Sequence, residues 1–212
     1  MNYFEEEVKI PADAVFMGGS LKIPENAKGI VLFVHGSGSS RFSPRNNFVA
    51  RILNENSFAT LLFDLLTEME DLNYSIRFDI DLLKKRLLVA TKWIQENPLT
   101  SKYDIGYFGA STGAAAALMA AAESEGTIKA IVSRGGRPDL AQNVLSRIKS
   151  PTLLIVGGED ESVIEFNRIA YGKLVSEKQI QIIPGATHLF EEPGTLEQVS
   201  ELAVAWFNRY LV

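Results

Sequence analysis

Short apolar runs alternate along this chain with segments whose apolar residues recur every three or four positions. The runs are Ile30 to Val34, Phe58 to Phe63, Tyr103 to Phe108, Ile128 to Ser133, Thr152 to Val156 and Gln179 to Ile183. A continuous apolar run of that length is the signature of a strand buried on both faces. Two earlier stretches, Phe4 to Ile10 and Val15 to Ile23, read as antiparallel strands ahead of the series. Helices are predicted between the runs. One starts at Ser43, an N-cap with Pro44 in the first turn, and has an apolar stripe at Phe48, Val49, Ile52 and Leu53. A second repeats at Ile80, Leu83, Leu87, Ala90 and Ile94, and the last at Val199, Leu202, Ala203, Trp206 and Tyr210. Thr195 and Gln198 have the spacing of a capping box for that last helix. Such alternation predicts an α/β fold, a mostly parallel central sheet with helices on both faces. The longest loop runs roughly from Asp64 to Ser75, so there is little or no room for a lid. Its acidic residues read as a solvated rim. The run of alanines at 114–117 reads as close packing of a helix on the sheet.

The chemistry starts at Gly109-Ala110-Ser111-Thr112-Gly113. A strand precedes it and an alanine-rich helix follows, with a serine at the tip of the turn. This is the nucleophile-elbow pattern, in which a strained turn lifts the serine hydroxyl above a helix N-terminus. On the order of one chain in ten of this length contains the pentapeptide by chance, so the flanking strand and helix carry the weight.

A nucleophilic serine needs a base, and the chain has two histidines, His35 and His188. His188 lies on the loop after Gln179 to Ile183 and before the last helix, where a base can take the serine proton and return it. His35 ends the first buried run, and its expected role is to shape the neighbouring loop. The acid should fall between Ser111 and His188 in the chain. Asp160 follows a strand and the double glycine Gly157-Gly158, which lets the chain turn sharply. Asp139 also follows a strand, and there a helix cap is the preferred reading. Asp160 is therefore the expected orienting carboxylate, with Asp139 the alternative.

The loop His35-Gly36-Ser37-Gly38-Ser39-Ser40 is expected to supply one oxyanion-hole donor from the Ser37 backbone, with the other from Thr112. The rival reading, a phosphate-cradling loop, lacks the Gly-Lys-Ser/Thr ending. Gly36 borders the same site. Arg134 and Arg137 leave the strand beside the elbow, at the sheet edge where such folds place ligands, so either can bind an anionic group on a substrate. Surface salt bridging is the competing reading for both.

Taken together, these motifs resemble the α/β-hydrolases, in the small dienelactone-hydrolase-like branch. Two further stretches, 38–46 and 133–140, resemble a subgroup sometimes found joined to phosphoribosyltransferase domains. Dienelactone hydrolases proper use a cysteine nucleophile, and this chain has no cysteine. The resemblance therefore implies serine esterase chemistry.

Composition narrows the field. Length and a hydrophobic content of 46% suit a single domain, 1–212, with one sizeable core. A net charge of -5 argues against a nucleic-acid surface. The acidic start has none of a signal peptide's basic and apolar regions, and no apolar stretch is long enough to span a bilayer, so a cytoplasmic location is expected. The expectation is a hydrolase of small esters, thioesters or lactones with Ser111, His188 and Asp160 as its triad and no metal or organic cofactor. The alternatives are acyl transfer on the same triad and a non-catalytic ligand-binding or interaction protein on the same fold.

Overall fold

The computed structural model describes residues 3–211. In chain order the elements are β1 (Tyr3–Ala12), β2 (Val15–Pro24), β3 (Ile30–Val34), α1 (Pro44–Glu55), β4 (Ala59–Phe63), α2 (Glu68–Asp71), α3 (Ile80–Glu96), β5 (Ile105–Ala110), α4 (Thr112–Glu123), β6 (Ile128–Arg134), β7 (Thr152–Gly157), α5 (Glu161–Lys173), β8 (Lys178–Ile183) and α6 (Thr195–Tyr210). The eight strands form one sheet in the order β1-β2-β4-β3-β5-β6-β7-β8. β1 pairs with β2 and β2 with β4 in antiparallel register, and every later pair is parallel.

Strand periodicity divides the core. Along β3, Ile30, Leu32 and Val34 point into one apolar cluster and Val31 and Phe33 into another. The first cluster lies under α3 and α4, the second under α1 and α6. Helices therefore cover both faces, and the five residues of β3 are all buried.

The ends of the predicted elements moved by a few residues, and three local readings changed. The residues Thr195 and Gln198 do not form a capping box: Gly194 is the N-cap, in a left-handed conformation at φ 81°, and Thr195 Oγ1 donates to the Glu192 carbonyl at 2.8 Å. The stripe of α6 is rotated toward Phe207, which is fully buried and packs at a tilt against Phe58 with ring centres 6.1 Å apart. The Asp64–Ser75 stretch contains the short helix α2, fixed by a reciprocal capping box between Thr67 and Glu70.

Candidate active site

Ser111 sits between β5 and α4 with φ 51° and ψ -121°, a conformation a side-chain-bearing residue adopts only when its surroundings enforce it. The neighbours do so. The Ser111 N–H donates to the Arg134 carbonyl at 3.2 Å, and the Arg137 N–H donates to the Ser111 carbonyl at 3.1 Å. Small residues let the turn close. A Cβ on Gly109 would meet Ala114 Cα at 2.5 Å, and one on Gly113 would overlap the Val34 and His35 carbonyl oxygens. Residues Thr112 to Ala121 of α4 are all buried, so the alanines hold the helix close against the sheet.

His188 reaches the site from the loop after β8. Its Nδ1 lies 2.6 Å from Asp160 Oδ2. Asp160 occupies the N-cap position of α5 but makes no capping bond, so its side chain is committed to His188. Gly157 and Gly158 serve this pairing through close approach. Neither has a positive φ, and a Cβ on Gly157 would meet the Thr187 carbonyl oxygen at 2.6 Å and the Ala186 oxygen closer still. The His188 loop is also braced by Glu192, which accepts from Thr187 Oγ1 at 2.6 Å and from the Thr187 N–H at 3.1 Å. These bonds hold the Glu192 carboxyl below its ordinary value.

Ser111 and His188 line one pocket of about 260 Å³ at the C-terminal edge of the sheet, together with Gly36, Ser37 and Arg134. Gly36 packs on the serine, since a Cβ there would lie 3.1 Å from Ser111 Cβ. The Ser37 N–H does not stand free for an oxyanion as expected. It donates to Thr112 Oγ1 at 2.9 Å, a latch between the glycine-rich loop and the elbow. His35 is buried behind the pocket. It accepts from the Leu65 N–H at Nε2, 3.0 Å away, and its Nδ1 lies 3.0 Å from the Gly36 carbonyl. Burial lowers its pKa, outweighing the opposing Gly36 carbonyl, Asp64 and Asp71.

The two arginines part company. Arg137 makes a bidentate pair with Asp139, at 2.8 and 2.7 Å, and does not line the pocket. The same contact commits the Asp139 carboxylate to Arg137 and replaces the helix cap expected for it. Arg134 does line the pocket and is only 6% exposed. Burial, with the Arg45 charge nearby, pushes its pKa down to about 10. Its guanidinium lies 5.7 Å from the Phe190 ring centre, and no carboxylate among the described residues pairs with it. Arg45 and Asn46, at the start of α1, also line this pocket, and sequence reasoning missed both. The available signal was their position just after the loop that follows β3. A larger groove of about 530 Å³, walled by Phe16, Phe42, Leu66 and Met69, adjoins the pocket at Ser39.

This sheet order, with a serine elbow after β5 and a histidine after β8, is the α/β-hydrolase fold. The chain belongs to the dienelactone hydrolase family, whose model matches residues 17–211. It is 53% identical to a dienelactone hydrolase from Anabaena variabilis, with a TM-score of 0.97 and 99% of each chain covered. It is 54% identical over 207 residues to a Mycobacterium tuberculosis protein named "putative phosphoribosyl transferase". That match takes in 98% of this chain and 47% of the relative, so the chain spans about half the length of the curated relatives it matches. A Xanthomonas campestris protein described as an α/β serine hydrolase without lid shares the fold at 18% identity and a TM-score of 0.80, over 98% of this chain and 95% of its own. Family and fold support a hydrolase. No helix among the described residues is long and apolar enough to cross a membrane.

Proposed function

We propose that this chain is a serine hydrolase that cleaves an ester, thioester or lactone of a small molecule through an acyl-enzyme intermediate. The observation that carries the reading is the strained Ser111, facing one pocket with a histidine whose other ring nitrogen is bound to a carboxylate. Ser111 Oγ attacks the carbonyl carbon while His188 Nε2 takes its proton. Asp160 keeps the remaining proton on His188 Nδ1 and stabilises the imidazolium. His188 then returns the proton to the leaving oxygen or sulfur as the acyl bond breaks, and a water repeats the sequence to release the acid. The Thr112 N–H, in the first turn of α4, takes the developing oxyanion in this reading. The Ser37 N–H joins it by exchanging its bond to Thr112 Oγ1.

The test is covalent labelling with a fluorophosphonate. One adduct is expected, at Ser111, and Ser111→Ala should abolish it. Labelling that persists in that variant, or that maps to Ser37 or Ser39, overturns the assignment.

A further inference from the structure

Two stretches of the sequence have no part in the triad, 38–46 and 133–140. They lie far apart in the chain, yet they meet in the catalytic pocket through Arg45, Asn46 and Arg134. Each of these residues leaves a buried polar atom without a partner: Nε of Arg45, Oδ1 of Asn46 and Nε of Arg134. Asn46 is 3% exposed and Arg134 is 6% exposed. Buried polar groups in folded proteins are satisfied almost without exception, and a buried cation without a counter-charge is the costliest case. Three unsatisfied atoms in one pocket, one of them on a buried guanidinium that no carboxylate among the described residues pairs with, describe a receptor whose partner comes from outside the chain.

The neighbouring side chains leave these atoms free. The Arg134 guanidinium carbon lies over the Phe190 ring, 5.7 Å from its centre. Glu191 accepts from Arg45 Nη1 at 2.8 Å, and Arg45 Nε keeps no partner. Arg137, which could have competed for an anion, is tied to Asp139.

We infer that Arg45, Asn46 and Arg134 form a subsite for a compact oxyanion carried by the substrate, a phosphate or a carboxylate, that also presents a hydroxyl to Asn46 Oδ1. Guanidinium groups suit such an anion because their planar donors match two oxygens at once. Asn46 Oδ1 is an acceptor and repels a bare anion, so it selects a group with an O–H beside the charge. A hydrogen phosphate has one on the same phosphorus, and a hydroxy acid has one on the neighbouring carbon. The pocket, about 260 Å³, also contains Ser111 and His188, which limits the occupant to a small anionic ester.

This inference deepens the serine-hydrolase reading, and its test has an arm that does not need turnover. Ser111→Ala protein is melted in phosphate, in malate and in sodium chloride of equal ionic strength. Phosphate or malate should raise Tm above the chloride value, and the better of the two names the anion. Asn46→Asp, which places a carboxylate in the receptor, should abolish the anion-dependent rise and raise Tm in chloride. A purely structural Asn46 would do neither. In the active protein, kcat/KM for an anionic p-nitrophenyl ester should exceed that for a neutral one of equal size by tenfold or more. That ratio should collapse in Arg45→Gln and in Arg134→Lys, which keeps the charge but loses the fork. No Tm rise with either anion, or a ratio unchanged in Asn46→Asp and Arg45→Gln, overturns the subsite. Absent labelling of Ser111 alongside an intact anion response overturns the hydrolase reading alone.

Discussion

Asp160 and Asp139 each follow a strand in the second half of the chain, and their partners separate them. Asp160 is bound to His188, whereas Asp139 is bound to Arg137. Asp160→Asn should lower kcat by a large factor with the fold intact, since removing the orienting carboxylate costs on the order of 10⁴ in the serine-protease precedent. Asp139→Asn breaks only a partly exposed ion pair, a loss of about 0–1 kcal/mol in stability. Steady-state kinetics beside thermal melts check both, and an Asp139→Asn that is the more damaging in kcat refutes the assignment. The preference for Asp160 was legible because it follows a double glycine, although those glycines serve close approach instead of a positive φ. Arg45 and Asn46 were legible only as neighbours of the loop after β3, since nothing local says that the start of α1 meets a residue at the end of β6 in one pocket. His35 carries a separate expectation. Its folded pKa lies below the ordinary 6.5, so the unfolded chain takes up the proton first as pH falls. The stability it contributes is full above 6.5 and is lost as pH drops toward the folded value. The loss is up to about 1.4 kcal/mol per pH unit. Denaturant melts between about pH 5 and 6.5 should show this slope in the parent and a smaller one in His35→Gln. Equal slopes would mean that His35 titrates normally.

Elements set the site by how closely they approach one another. Strands were legible because a buried parallel strand is apolar at every position, as in β3 and β5. Helix faces were legible only to within one position. Leu202 and Tyr210 lie at the border of the α6 stripe, and Phe207 fills its centre because Phe58 lies opposite. α2 was hidden because four residues show no periodicity, though Thr67 and Glu70 have the spacing that caps it. The junction of β7 with the His188 loop is the most sensitive contact. Gly157→Ala would press a methyl group against the Ala186 and Thr187 carbonyls. The loop must shift, and His188 with it. Overpacking of this kind costs about 1–3 kcal/mol, and a displacement of roughly 1 Å in catalytic geometry can cost about 10²-fold in rate. Gly172→Ala is the counterpart. It lies in α5 with open space around it, so it should stabilise by up to about 1 kcal/mol and leave kcat unchanged. Equal kcat in both variants would show that the β7 contact does not position the base.

At the scale of the whole molecule, the question is what covers the pocket. The connection from β4 to α3, residues 64–79, leaves this sheet edge, and the sequence of its 64–75 stretch reads as a loop with a solvated acidic rim. The structure ties it down instead. Asp64 pairs with Arg41, Glu70 accepts from Arg86 at 2.8 Å, and Arg77 donates to the Asp71 carbonyl at 2.6 Å. The Leu65 N–H is anchored on His35. A segment tied to the body at three points, and braced within itself by Arg77 and Asp71, has no free hinge, and domain-scale closure needs residues that absorb large backbone changes. On that footing the pocket is expected to be open in the resting molecule, with access that does not depend on an apolar interface to pull a cover away. The expected outcome is a hyperbolic dependence of rate on substrate for a short-chain ester carried from solution past the concentration at which it forms aggregates. A lidded enzyme would show a rise at that point, because the aggregate surface stabilises the opened state. A sharp rise here, retained when Asp64→Asn and Glu70→Gln loosen the segment, would mean that another part of the chain closes the site. A rise that appears only in those variants would mean that these anchors hold open a segment otherwise able to close.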